Sequence, residues 1–398
     1  MKNAFAIIVL SVLIIACSDQ KDLCEQNDSE EILACIAAQL NHFYSFHENY
    51  YDPVMIPVYF NENGLVRWSS LEHWSSSYYS GVLWMIYDLS GSAIWSERAS
   101  QLTNQLMIAR STSEADNDEF MNTPAYADAY RITGDNKYRE KLILTARNTI
   151  RRFNEKAGCL GVEIEARSES IFEVSMEEMM NLELLFWAAQ ETGERVFYNI
   201  ACRHAQTTLQ NQFSTNFFPL DVLYYNYTTK EIVDATVSHS KNKIFNANAC
   251  ALYGFVISYR ETHNTLFLRQ AENIAANIIA ELKITNETGD NLQDTGQYYN
   301  LATLAIIVSA MFQLSQFSAN KSQQIQFADH LLLNFPIIEF QLQKIDLNES
   351  VSVKSSITIE NDICINEACM CAYYYFLEAL ERKIEIQKSL NTVVKSKI

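Results

Sequence analysis

The sequence predicts an all-α fold in which six helical hairpins close into one toroid. Three observations support this prediction: an apolar content of 48%, a small number of turn-forming residues, and a turn pattern that recurs between pairs of apolar segments. Only 10 glycines and 5 prolines occur in 398 residues, which favours helices over many short strands. Repeated helical hairpins can also stack as an open solenoid. We favour the toroid because the inner helices are unusually aromatic, as suits a central funnel.

The first residues predict an export signal. Residues 1–16 combine an early positive charge at Lys2 with an apolar run that is too short to span a bilayer. The run closes in Ile-Ile-Ala-Cys, which is similar to a bacterial lipobox and makes Cys17 the expected lipidation site. An ordinary cleaved signal or an uncleaved anchor is the alternative. We therefore expect a lipid-anchored protein of the bacterial cell envelope, periplasmic or at the cell surface, with a tether over residues 17–29.

The repeat defines one helical domain over residues 30–385. Each hairpin turns at a short polar segment, where a glycine fits a helix C-cap with positive φ and the next polar residue fits a helix N-terminus. The second helices of three hairpins are expected to run to Phe153, Phe213 and Leu282. We expect residues 386–398 to form a polar tail. An early helix is expected near residues 32–46, the turns fall at 87–91, 130–135, 190–194 and 259–264, a weaker hairpin covers 301–333, and a closing helix covers 367–383.

Charge and cysteine content limit the chemistry that we expect. The formal net charge of -18 argues against nucleic acid as a partner, because phosphate binding needs a basic surface. Apart from Cys17 there are eight cysteines, and their spacing matches no zinc signature. The sequence also contains no glycine-rich phosphate loop. We therefore expect neither a metal nor a cofactor.

Residues 175–189, SMEEMMNLELLFWAA, form the most informative segment. The paired carboxylates of Glu177 and Glu178 stand just ahead of an apolar run that ends in Phe-Trp. This order predicts a carboxylic acid held at the mouth of a buried helix. Burial or a second carboxylate can bring the pKa of such an acid toward neutrality, where general acid catalysis is most effective.

This segment resembles the Asp-x-Met-Met-Asn motif of the unsaturated glucuronyl hydrolases, glycoside hydrolase family 88. Residues 74–84, WSSSYYSGVLW, are similar to the family's Trp-Thr-Ser-Gly-Phe-x-x-Gly-x-Leu-Trp pattern. The resemblance implies an (α/α)6 barrel, and it makes Trp74, Trp84 and Trp187 candidate walls for a carbohydrate. The clearest similarity covers residues 74–91, 120–134 and 176–213.

The resemblance also implies a reaction. Members of this family remove a terminal unsaturated uronic acid from oligosaccharides left by polysaccharide lyases. An acid protonates the C4=C5 double bond, water adds at C5, and the ring opens to release the remaining sugar. In this chain Glu177 takes the place of the family's catalytic aspartate. Its extra methylene extends the carboxyl by about 1.5 Å, a displacement that can cost on the order of 100-fold in rate.

A second catalytic carboxylate is implied near residue 117. The family's His-Asp-x-Gly-Phe segment aligns with residues 116–120, DNDEF, so Asn117 stands where the family has aspartate. A local slip would bring Asp116 or Asp118 into that role, and a polar surface turn is the alternative. We take Asn117 and Asp118 as candidates for positioning the sugar or the water.

The segment that would bind the uronate differs most from the family. The family's Trp-Ala-Arg-Gly-Gln-Ala-Trp run aligns with residues 244–250, IFNANAC, which places Asn246 at the arginine. A neutral amide cannot replace the charge-assisted bidentate contact of a guanidinium. Asn246 and Asn248 remain candidate ligand contacts. His239 is the histidine expected near the site, with an exposed loop residue as the alternative.

Two functions from different classes follow. The first is a lipid-anchored glycosidase with Glu177 as the acid and an oligosaccharide as the substrate. The second is a carbohydrate-binding protein on the same fold that has lost catalysis. Three departures motivate this second function: Asn117, Asn246 and the loss of both tryptophans of the family's Trp-Ala-Arg-Gly-Gln-Ala-Trp run. All three fall in the site, while the scaffold motifs remain. The first function predicts turnover that is lost when Glu177 is replaced, and the second predicts no turnover.

Overall fold

The computed structural model describes most of the helical domain. The described residues are 32–38, 40, 41, 44, 55–60, 66–71, 73, 75–111, 123–164, 171–213, 219–226, 228, 229, 231–236, 241–282, 300–333 and 368–395. The expected export signal and tether lie outside these residues. The predicted sites that also lie outside them are Cys17, Trp74, Asn117, Asp118 and His239.

Helices dominate the described chain and alternate between an inner and an outer ring. The inner helices are α1 (Ser76–Ser90), α3 (Thr123–Thr133), α5 (Leu182–Thr192), α7 (Lys241–Thr262), α9 (Leu301–Leu314) and α11 (Met370–Lys395). The outer helices are α2 (Ala93–Ser111), α4 (Asn136–Arg151), α6 (Arg195–Asn211), α8 (Thr265–Leu282) and α10 (Lys321–Leu333). Residues 32–38 are also helical. Each outer helix packs on the inner helix before it, and α11 packs against both α9 and α1, which closes the ring.

Burial distinguishes the two rings. The inner helix α9 is buried along residues 303–314, whereas the outer helix α8 buries residues at three- and four-residue spacing, from Phe267 to Leu282. A helix that is apolar all round must be covered on every side, while an amphipathic helix covers a core with one face. The layered arrangement is therefore the toroid that the sequence predicts.

The predicted turns are present at the ends of the inner helices. Helices α1, α3 and α5 end at Gly91, Gly134 and Gly193, whose φ values are 68°, 68° and 74°. At the fourth turn His263 has a φ of 54°, and its N–H donates to the Tyr259 carbonyl at 2.8 Å. A residue in this left-handed conformation satisfies a terminal carbonyl while the chain reverses. Because these short turns share one end of the ring, the longer connections lie at the other end.

Short antiparallel strands lie in the longer connections. The first sheet has the order β2-β1-β9, the second pairs β3 with β4, and the third has the order β5-β6-β7-β8. The strands are β1 (Met55–Phe60), β2 (Val66–Ser70), β3 (Phe153–Asn154), β4 (Cys159–Leu160), β5 (Val162–Ile164), β6 (Ile171–Ser175), β7 (Val222–Asn226), β8 (Ile232–Thr236) and β9 (Ala368–Cys369). Alternate residues of β6 and β7 are buried, and they form a small core of their own.

Three predicted boundaries are wrong. Helices α4 and α6 end at Arg151 and Asn211, before the predicted ends at Phe153 and Phe213, because these phenylalanines pair with Leu160 and Pro219 across bridges. At the C-terminal end α11 continues to Lys395, into the predicted tail. Its Ile386 is 6% exposed, and that burial extends the helix beyond the predicted domain end. Within the described ranges, none of the helices is both long and apolar enough to span a membrane.

Candidate active site

The candidate acid lies on a single-turn element at the end of the ring opposite the short turns. Strand β6 leads directly into a 3₁₀ helix, Met176–Asn181, and then into α5. The Ser175 hydroxyl accepts the Glu177 N–H at 3.2 Å and caps this element. Met176 and Met179 are buried, while Glu177 is exposed. The methionines thus anchor the element and leave the Glu177 side chain at the surface of the ring mouth.

Close backbone packing fixes this element against α7. A Cβ atom on Gly254 would lie 2.7 Å from both the Cβ and the carbonyl oxygen of Met179. Contacts this short leave no room for a side chain, so only glycine allows the approach. The position of Glu177 is therefore set by the ring itself.

The neighbouring carboxylate has a different role. Arg152 Nη1 donates to Glu178 Oε1 at 2.6 Å, and Asn181 Nδ2 donates to Glu178 Oε2 at 2.9 Å. The Glu178 side chain is only 13% exposed. Both of its oxygens are thus engaged in holding the element together, which leaves Glu177 as the candidate for chemistry.

Two predicted site residues lie together in the structure. Asn246, near the start of α7, donates through Nδ2 to Glu177 Oε1 at 2.8 Å. Thr303, in the first turn of α9, donates to Asn246 Oδ1 at 3.2 Å. The three side chains come from elements far apart in sequence, and Thr303 was not anticipated from it. A carboxylate that receives a directed donor at a ring mouth is suited to acid–base chemistry on a bound ligand.

The structure does not bring the other described candidates to Glu177. Trp84 is 1% exposed and donates to Thr103 Oγ1 at 3.0 Å, so its indole has a packing role and no face for a sugar, contrary to the sequence prediction. Trp187 is partly exposed in the middle of α5, where its ring packs edge-to-face on Tyr130 at 5.9 Å. Asn248 is 6% exposed and donates to the carbonyl of Ile244, its own helix neighbour, at 2.9 Å.

A polar network, which we call the inner-ring network, joins four inner helices and was missed in the sequence. It comprises Glu183 on α5, Tyr253 on α7, Ser309 on α9, and Glu378 and Arg382 on α11. The Tyr253 hydroxyl lies 2.7 Å from Glu183 Oε2 and 3.0 Å from Glu378 Oε1. Arg382 donates to Ser309 Oγ at 2.6 Å and to Glu378 Oε1 at 3.0 Å. Buried polar groups need such partners, so the network fixes the helices relative to one another.

The pKa values of the two carboxyl groups in this network shift in opposite directions. Burial raises the pKa of Glu378, although Arg382 opposes the rise. Burial would also raise the pKa of Glu183, but Arg260 and Arg382 outweigh it and hold that pKa below its usual value. The signal in the sequence was a carboxylate and a guanidinium four residues apart, on one face of the last helix.

A second ionic cluster lies near the short turns. Arg131 contacts Asp88 at 2.5 Å, Asp128 at 2.9 Å and Glu381 at 3.4 Å. Burial raises the pKa of Asp128 to about 6 and that of Glu381 to about 7, with Arg131 opposing both shifts. One guanidinium thus serves three carboxylates. Among the described residues, no group of three or more His, Cys, Asp or Glu side chains is arranged to hold a metal ion.

We expect Asp128 to make stability depend on pH. Its folded pKa of about 6 lies above its unfolded value, so its contribution is complete below that unfolded value and is lost as pH rises through 6. The free energy of unfolding of the wild type minus that of Asp128→Asn should therefore be larger at pH 5 than at pH 8, by about 1 kcal/mol. Urea unfolding of both proteins at both pH values measures the gap.

The comparison between variants matters because another group opposes this trend. Burial lowers the pKa of His204 to about 3, so its contribution is lost as pH falls from the unfolded histidine value, in the same range. Both proteins contain His204, so its contribution cancels when the free energy of unfolding of Asp128→Asn is subtracted from that of the wild type. A gap that is equal at the two pH values, or larger at pH 8, would contradict the assignment.

Known proteins are similar to this chain in sequence and in structure. No family model matches the chain. The chain is 29% identical over 329 residues to an unsaturated glucuronyl hydrolase of Formosa agariphila, covering 78% of this chain and 80% of that protein. A crystal structure of an unsaturated glucuronyl hydrolase specific for heparin matches with a TM-score of 0.70 and 26% identity, over 86% of this chain and 94% of that chain.

A further solved structure contains a ligand. It is a mutant of the unsaturated glucuronyl hydrolase from Streptococcus agalactiae complexed with dGlcA-GalNAc6S, with a TM-score of 0.63 and 15% identity, over 92% of this chain and 95% of that chain. The described helices therefore form the (α/α)6 barrel of these enzymes, as expected from the sequence. By sequence and by structure, this chain is homologous to the unsaturated glucuronyl hydrolases, glycoside hydrolase family 88.

Proposed function

We propose that this protein is a glycan-processing enzyme of the unsaturated glucuronyl hydrolase type. It removes a terminal unsaturated uronic acid from oligosaccharides that polysaccharide lyases leave behind. The observation that carries the proposal is the Glu177 carboxylate, which is exposed at the ring mouth and held by Asn246 at 2.8 Å. The homology supplies the substrate class, because the similar proteins are unsaturated glucuronyl hydrolases.

The proposed reaction needs one proton and one water. Glu177 gives its proton to C4 of the C4=C5 double bond, and the positive charge develops at C5 beside the ring oxygen. Water then adds at C5 and gives a proton back to the Glu177 carboxylate, and the resulting hemiketal opens and releases the remaining sugar. The hydrogen bond from Asn246 stabilises the carboxylate that is left after proton transfer.

The remaining predicted residues complete the proposal. Asn117 and Asp118 position the water or the reacting sugar, and Trp74 and His239 contact the ligand. Trp187 and Asn248 take part only where the bound sugar extends toward them, because neither contacts Glu177. Trp84 is left out, since its side chain is buried.

A glycan-binding role without turnover is the second candidate. One observation favours it: the neutral Asn246 stands where the resembling family has arginine, and its amide is bound to Glu177. An amide so engaged offers a uronate carboxylate no charge, which weakens recognition of the anionic sugar.

We also propose that the protein acts at the bacterial cell envelope, anchored by a lipid on Cys17. The apolar leader and the lipobox-like end support this location. Cys35 is disulfide-bonded, and disulfides persist in oxidising compartments outside the cytosol. Radiolabelled palmitate incorporation that is lost in Cys17→Ala would support the anchor, and equal labelling of both proteins would contradict it.

The function is tested with purified protein and unsaturated uronyl disaccharides from several lyases. Loss of the ultraviolet absorbance of the conjugated double bond, with release of the second sugar, is the result that the enzyme proposal requires. Calorimetric binding without any loss of absorbance would establish the glycan-binding alternative. Absence of both turnover and binding across the disaccharides would exclude both candidates.

A further inference from the structure

Three side chains form a chain of hydrogen bonds, which we call the amide bridge: Glu177, Asn246 and Thr303. Asn246 Nδ2 lies 2.8 Å from Glu177 Oε1, and Thr303 Oγ1 lies 3.2 Å from Asn246 Oδ1. Thr303 is 2% exposed, Asn246 is partly buried and Glu177 is exposed. The bridge thus runs from the protein interior to the candidate acid.

The donors and acceptors in the bridge have one consistent direction. Once Glu177 is ionised, as it is after giving up its proton, it only accepts hydrogen bonds, so the amide presents its NH₂ group to Glu177. The carbonyl of the same amide then points to Thr303, whose hydroxyl donates to it. A half-turn of the amide would set its carbonyl oxygen against the carboxylate, and two acceptors in contact repel each other.

Thr303 is itself held in place at the start of α9. The Asn300 side chain caps this helix and accepts from the Ala302 N–H at 2.8 Å and the Thr303 N–H at 3.4 Å. The cap therefore fixes the backbone of Thr303. Threonine has two favoured χ1 rotamers in a helix, and the Thr303 hydroxyl lies in the one that donates to Asn246.

We propose that Thr303 is a positioning residue for the candidate acid: its hydroxyl holds the Asn246 amide in the place from which Nδ2 donates to Glu177. This inference rests on the proposed function. The resembling family has arginine at this position, and a guanidinium presents several donors. Asparagine has a single amide, so its contact with Glu177 depends on where that amide is held. Thr303 supplies the hydrogen bond that holds it.

The kinetic test is a double-mutant cycle. Thr303→Val should lower kcat about tenfold with little change in KM, because the loss of one hydrogen bond acts on the acid rather than on sugar binding. Asn246→Ala should lower kcat at least as much, and Thr303→Val should add little in that background. Thr303→Ser should restore the rate. Independent, multiplicative effects of the two changes would overturn the proposal.

Thr262→Val is the matched control. Thr262 lies at the far end of the helix that carries Asn246, and its hydroxyl donates to the Ser258 carbonyl at 2.6 Å. The substitution removes the hydroxyl of a helical threonine but leaves the bridge intact. We expect its kcat to stay near the wild-type value, and a loss equal to that of Thr303→Val would contradict the assignment.

A spectroscopic measurement separates this proposal from the proposed function. In the ¹⁵N-labelled wild type, the side-chain amide of Asn246, assigned by comparison with Asn246→Ala, should show one downfield proton bonded to Glu177. That signature should be lost in Thr303→Val and kept in Thr303→Ser, and it should be weaker in Glu177→Gln, whose amide oxygen is a neutral acceptor. An unchanged amide signature in Thr303→Val would overturn the positioning role, whether or not the wild type turns over substrate. Absence of turnover with the predicted signatures would overturn the proposed function alone.

Discussion

Glu177→Gln is expected to lower turnover of unsaturated uronyl disaccharides roughly a thousandfold, as loss of a general acid typically does. Glutamine keeps the shape of the side chain but has no acidic proton to give to C4. It also keeps an acceptor oxygen for Asn246, so the ring mouth should remain assembled. We therefore expect disaccharide affinity to stay within a few-fold of the wild type. Absorbance assays measure the rate, and calorimetry measures the affinity.

Two further variants make this test specific. Glu155→Gln changes an exposed carboxylate, paired with Arg203 at 2.8 Å on the protein surface, and should leave the rate unchanged. Glu177→Asp restores the family residue but draws the carboxyl about 1.5 Å away from Asn246, its partner at 2.8 Å in this site, so we expect an intermediate loss on the order of 100-fold. Full activity of Glu177→Gln would show that another group supplies the proton.

Arg382→Met is expected to destabilise the protein by about 3 to 5 kcal/mol, the cost of leaving a buried charge without its partner. Arg382 is 9% exposed and bonds to Ser309 and Glu378 within the inner-ring network. Methionine keeps much of the apolar stem but leaves the Glu378 carboxylate without a cation. Urea unfolding measures the change in the free energy of unfolding.

A double variant and a surface control test whether this cost comes from the inner-ring network. Because the cost arises from the unpaired carboxylate, Glu378→Gln should recover part of the stability when it is added to Arg382→Met. Arg203→Met is the surface control, since the Arg203 side chain is 50% exposed, and it should change stability by less than about 1 kcal/mol. Equal destabilisation by Arg203→Met and Arg382→Met would contradict a special role for the network.

The helical hairpins were predictable because their signals are local. A glycine such as Gly91 or Gly193 marks the end of one helix within a few residues, and the polar residue after it marks the next helix. The motif around Glu177 is also local, and the structure confirms its place ahead of a buried helix. The strands were not predicted, because segments of two to six residues carry too little periodicity to identify.

Contacts between distant residues were beyond the sequence. Thr303 and Asn246 are 57 residues apart, and nothing near either of them indicates that they meet. The indole of Trp84 fitted a sugar platform by residue type, but the ring of helices encloses it. Arg382 and Glu378 have the four-residue spacing of an ion pair within a helix, although their partners on three other helices are fixed only by the fold.

The most direct test of the account is a single-turnover reaction, with the wild-type protein in excess over an unsaturated uronyl disaccharide. We expect the double-bond absorbance to disappear completely and one equivalent of the second sugar to be released. The same reaction with Glu177→Gln should show neither change over the same time. Persistent absorbance in the wild type, with the disaccharide bound, would contradict an enzyme and leave a glycan-binding protein on the same barrel.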